Sequence, residues 1–97
     1  VSAPAVPGAG VRWVLRHEVP VDDTWHDVRL PGPVVHIATR RPDVVEIWTL
    51  HTDGGPEVTR TFRVYGTGQP ITDAVRHVGT AIVPGGALVW HLMERAS

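Results

Sequence analysis

The stretch EVTRTFRVY, Glu57–Tyr65, alternates apolar and polar side chains with a period of two. Val58, Phe62 and Val64 fall on one face; Thr59, Thr61, Arg63 and Tyr65 fall on the other. Only an extended backbone sends successive side chains to opposite faces, so this segment reads as a strand with one buried side. The same alternation recurs on both sides of it. In VRWVLRHEV, Val11, Trp13, Leu15 and Val19 share a face opposite Arg12, Arg16 and Glu18. TWHDVRL sets Val28 and Leu30 against Asp27 and Arg29.

Turn residues punctuate these runs. Pro20–Asp23 breaks the first, and Pro31-Gly32 suits a type II turn. VVHIATR is apolar enough for a strand covered on both faces, and Arg41-Pro42-Asp43 turns it into VVEIWTLHT. Asp53-Gly54-Gly55-Pro56 is a hairpin signal, because Asp-Gly accepts positive φ. In ITDAVRHV, Thr72 or Asp73 is placed to cap one helical turn. VGTAIV and ALVWHLME, joined by Pro84-Gly85-Gly86, close the chain. The expectation is an all-β domain: an antiparallel β-sandwich or barrel of six to seven short strands over residues 11–97, preceded by a flexible arm over residues 1–10.

Composition narrows the chemistry. At 97 residues the chain supports one small core. It contains no Cys, so disulfides, thiolate nucleophiles and cysteine-ligated zinc are ruled out. All nine basic residues are Arg, which removes lysine Schiff-base chemistry. A net charge of −1 argues against strong nucleic-acid binding. No apolar run approaches the roughly 20 residues of a membrane helix, so no membrane partner is expected. The lack of a disulfide framework fits a cytoplasmic protein.

Candidate reactive groups are sparse. The two serines, Ser2 and Ser97, sit at the ends. His17, His26, His36, His51, His77 and His91 form no H-x-H or H-E-x-x-H pattern, so no metal is expected. Asp27, Asp43 and Glu46 alternate with apolar residues and read as solvated strand faces. Trp13, Trp48 and Trp90 lie within apolar alternation and read as core, whereas Trp25 falls on a polar face and is a candidate interface anchor.

One loop stands apart. Gly66-Thr67-Gly68 offers backbone N–H groups that could form an anion nest, with Arg63 and Tyr65 on the adjoining face and Gln69 beside it. Its spacing matches no nucleotide-binding motif, no helix is expected behind it, and Pro70 lacks a donor. A strand exit permitted by two glycines is the favoured reading of the loop. No cofactor motif is present.

TRTFRVYGTGQPI (Thr59–Ile71) and GGALVWHLME (Gly85–Glu94) resemble a family of small proteins encoded by tailed phages and prophages. That family carries a T-R-T-F-R-[IV]-Y-G-T-G-H-P-I segment followed by G-G-A-L-V-[FW]-H. The region LRHEVPVDDTWHDVRLPGPVVHIAT fits more loosely, and Gln69 stands where the family often has His. The resemblance implies a phage origin and a compact β fold, and it brings no activity with it.

Three functions are therefore weighed. The favoured one is a non-catalytic accessory protein in the host cytoplasm that binds a host protein or a small anionic, nucleotide-type ligand, with counter-defence as one such role. Such a ligand would use Arg63, Tyr65, Gly66, Thr67, Gly68 and Gln69, across a homo-oligomer interface. The alternatives are a virion or assembly module, and a hydrolase using His and carboxylates.

Overall fold

The computed structural model describes residues 11–96. The expected N-terminal arm, residues 1–10, lies outside them. Seven strands form: β1 (Arg12–Pro20), β2 (His26–Leu30), β3 (Val34–Arg41), β4 (Val44–Thr52), β5 (Val58–Gly66), β6 (Val75–Ile82) and β7 (Val89–Arg95). They build two sheets, ordered β1-β4-β3 and β2-β5-β7-β6, and every ladder is antiparallel. The all-β expectation holds, as a two-layer sandwich.

The core lies between the sheets. Val19, Val45 and Ile47 from the three-stranded sheet meet Leu30, Phe62, Val64 and Leu92 from the four-stranded one. These are the alternate positions of β1, β4, β5 and β7, so period-two patterning and core membership have one cause. Gly79, at a register shift of β6, keeps the layers close. A Cβ there would stand 2.5 Å from Ile37 Cδ1 of β3.

Several local expectations are corrected. Asp53–Pro56 does turn, with Gly54 at φ 72° and the Gly55 N–H donating to Thr52 O at 2.8 Å. It joins no hairpin, however, because β4 and β5 belong to different sheets. Among consecutive strands, only β3–β4 and β6–β7 pair directly. Gly32 does not adopt positive φ, so Pro31-Gly32 is not a type II turn. The glycine is needed for space instead: a Cβ would lie 1.8 Å from the Leu50 carbonyl oxygen.

No helical turn forms at Thr72–Asp73. β5 and β6 each run antiparallel to β7, which lies between them, so the link 67–74 must travel the length of the sheet. A helical turn would shorten that reach, since an extended residue rises about twice as far as a helical one. β3 is not covered on both faces, because Val35 and His36 are exposed. Trp13 is not core either: it is 45% exposed and stacks on His51.

Candidate functional site

Glu46 is the most consequential polar residue in the fold. It sits on β4, the central strand of its sheet, and is only 1% exposed. Register places it on the outer face, opposite Glu18 of β1 and Ala38 of β3. Reading it as part of a solvated face was therefore incorrect. Long side chains from both neighbouring strands cover it. Arg40 Nε donates to Glu46 Oε1 at 2.9 Å and Nη2 donates to Oε2; Arg16 Nη1 donates to Oε2 at 2.7 Å. A carboxylate accepting hydrogen bonds from two cations resists protonation. Arg40 foremost, then Arg16, hold its pKa at about 2 against the upward push of burial.

The clamp fixes a basic surface. Arg16 also donates to Glu18 Oε2 at 3.0 Å, and Arg41 Nη2 reaches the same oxygen at 3.3 Å. Arg16, Glu18, Arg40 and Arg41 line a shallow cavity of about 370 Å³. Three guanidinium groups face two carboxylates there, and the Arg40 and Arg41 side chains are 65% and 61% exposed. A guanidinium carries five N–H donors, so these contacts leave several directed at solvent.

A second clamp repeats the plan in the other sheet. Glu94 of β7 accepts from Arg60 Nε at 2.6 Å and Nη2 at 2.7 Å, and from Arg76 Nη2. Arg60, ahead of Arg76, holds its pKa at about 2. Glu94 and Arg60 line a cavity of about 310 Å³ with Val58, Thr59, Thr61 and Arg95. Arg60 is mostly enclosed, applies two donors to Glu94 and lies over the Phe62 ring. Arg60 therefore offers few outward donors, and Arg76, 70% exposed, is the outward cation of this clamp.

The loop after Tyr65 is closed on itself. Tyr65 is 2% exposed although it lies on the face away from the core. Arg63 lies over its ring at 4.7 Å, and Trp25 meets it edge-on. The Gly66 N–H donates to Gln69 Oε1 at 2.9 Å, and the Gln69 N–H returns to Gly66 O at 3.1 Å. Gln69 Nε2 donates to Asp23, and Thr67 Oγ1 bonds His91. The Gly66 and Gln69 amides are thus engaged within the turn, with Gly68 at φ 86°. Arg63 Nε is buried without a hydrogen-bond partner. Gly66 and Thr67 also line a groove of about 380 Å³ with Ala87, Leu88, Val89 and Trp90.

Trp25 is half-buried. Its indole N–H donates to Asp73 at 3.2 Å and Arg95 lies 4.7 Å over its ring, so it pins the crossover link. The histidines spread through both sheets. His17 bonds Thr49, His26 bonds Asp22 and Thr24, and His77 and His91 share Thr80. Among the described residues no three His, Asp or Glu side chains group to hold a metal.

Residues 11–97 match a domain of unknown function, DUF7352. The chain belongs to that family. No curated protein and no solved structure matches it. Among the described residues of this DUF7352 domain, no helix is long and apolar enough to cross a membrane.

Proposed function

We propose that this DUF7352 domain is a non-catalytic binding module whose Arg16–Arg40–Arg41 surface takes a small anionic ligand of nucleotide type. One observation carries the reading. The buried Glu46 carboxylate holds two guanidinium groups in place from below, so their remaining donors are oriented before any ligand arrives. Preorganised arginine suits phosphate, whose oxygens match the guanidinium fork. In this reading the module is a phage accessory protein acting on a host-derived ligand in the host cytoplasm, and it works as a homo-oligomer. The resemblance described above supplies the phage setting.

The test is calorimetric titration with pyrophosphate, AMP and ATP against three chains: wild type, Arg41→Gln and Arg63→Ala. Among the described residues the Arg41 side chain is ion-paired only with exposed Glu18, so Arg41→Gln leaves the Glu46 clamp intact. Binding by the wild type with about tenfold weakening in Arg41→Gln is the expected result. Failure of every probe to bind would reject the reading. A loss confined to Arg63→Ala would move the site to the Tyr65 loop.

A further inference from the structure

We infer that β1 pairs antiparallel with β1 of a second copy, with Leu15 on the two-fold axis. The two three-stranded sheets then become one continuous six-stranded sheet. The inference gives a geometry to the homo-oligomer of the ligand reading, shares Arg16 and Glu18 with its cavity, and needs no ligand to be measured.

Four strands end the two sheets: β1, β3, β2 and β6. Proteins blunt such edges to prevent pairing. β2 has only five residues, β3 has two register shifts, and β6 has one between His77 and Gly79. β1 has none of these devices over nine residues. Trp13, Val14 and Leu15 along it are 45%, 60% and 39% exposed, a run of large apolar side chains on both faces of an edge.

Among the described residues only β4 pairs with β1, so its other backbone edge has no strand partner. Val11 O accepts from the Asp53 N–H at 2.8 Å, and the Val21 N–H donates to Asp43 O at 2.9 Å, in line with the β1–β4 register. In an antiparallel ladder hydrogen-bonded residues alternate. Odd-numbered residues of β1 thus point their backbone groups at β4. Arg12, Val14, Arg16 and Glu18 point theirs outward. Pro20, next in that series, has no N–H and ends the available edge.

Charge disfavours the adjacent registers. With Leu15 on the axis, Arg12 stands opposite Glu18 of the second copy, twice over by symmetry. Val14 stands opposite Arg16, and Trp13 opposite His17. One step in either direction is unfavourable. Val14 on the axis sets Arg12 against Arg16, and Arg16 on the axis sets it against itself. Opposite charges across a ladder stabilise and like charges destabilise. The self-complementary order in RWVLRHE therefore fits a second copy of this chain, and the isologous contact closes at two subunits.

The chain has no Cys, so single-cysteine variants report the register cleanly. Leu15→Cys sets two thiols on a non-hydrogen-bonded pair with Cα atoms about 4.5 Å apart, within disulfide reach. Mild oxidation should cross-link Leu15→Cys quantitatively and leave Val14→Cys as monomer on a non-reducing gel. In sedimentation velocity, Glu18→Arg should raise the dimer Kd about tenfold, and Arg12→Glu with Glu18→Arg should restore it. Circular dichroism confirms that each variant is folded. A wild type that stays monomeric at millimolar concentration overturns the inference. So does cross-linking through Val14→Cys in place of Leu15→Cys, or failure of the double swap to restore pairing.

Discussion

Glu46 and Glu94 are clamped alike on opposite faces of their sheets, Glu46 on the outer face and Glu94, paired with Phe62, on the core side. Each stands on an internal strand and is clamped by arginines from both neighbouring strands: Arg16 and Arg40 for one, Arg60 and Arg76 for the other. Each clamp ties three strands through side chains as well as through backbone ladders.

Replacing the Glu46 carboxylate should be costly. Glu46→Gln keeps the shape but removes the charge that both guanidinium groups bond. A loss of about 2 kcal/mol in urea unfolding is expected, within the range for hydrogen bonds to charged groups. A conservative surface change such as Glu57→Gln, whose partner Arg29 is largely exposed, should cost only a few tenths.

Stability should fall in acid in a defined window. Both clamped carboxylates have folded pKa values of about 2, below the ordinary 4.5. The unfolded chain therefore takes up protons that the folded chain refuses. The clamps' contribution is complete above about pH 4.5 and declines as pH falls toward 2. His17, lowered below its ordinary 6.5 by burial, adds a smaller decline of the same sign beginning nearer neutrality. Melting temperature followed from pH 7 to pH 2 should show both. The lower step should be shallower in Glu46→Gln.

The contact between Gly79 and Ile37 should be intolerant of added volume. Gly79→Ala places a methyl group 2.5 Å from Ile37 Cδ1, and overpacking of this kind costs about 1–3 kcal/mol. Adding Ile37→Val, which removes that terminal carbon, should recover part of the loss in the same thermal melt.

Gln69 should matter to the crossover turn through both ends of its amide. Gln69→Ala removes the bonds to the Gly66 N–H and to Asp23, for an expected loss of about 1 kcal/mol. Gln69→His should lose less, since an imidazole nitrogen can still accept from the Gly66 N–H. Chemical unfolding of the two variants side by side provides the measurement.

Much of this fold is legible in short windows of sequence. EVTRTFRVY, VRWVLRHEV and VVEIWTLHT show their strand character because period-two alternation is a local property. What escaped depends on partners distant in the chain. Trp13 has the alternation of a core residue, but its face is covered only if the other sheet extends that far. Tyr65 looks solvent-facing from its strand, yet Arg63, Trp25 and its neighbours enclose it. Glu46 looks solvated until Arg16, thirty residues earlier, folds over it. One signal was within reach: the turn at Pro42-Asp43 makes β3 and β4 a hairpin, which brings Arg40 to the side of Glu46. The clamp could have been half-seen there. The crossover of the 67–74 link could not, because nothing local tells a chain to skip over a strand.

The clamps also constrain how members of this family can drift apart. Glu46, Arg16 and Arg40 form one electrostatic unit, so loss of the acid leaves Arg40 without its partner and Arg16 with only the exposed Glu18. Substitutions at these three positions should therefore travel together through the lineage, as should those at Glu94, Arg60 and Arg76. Each trio should be inherited whole or abandoned whole.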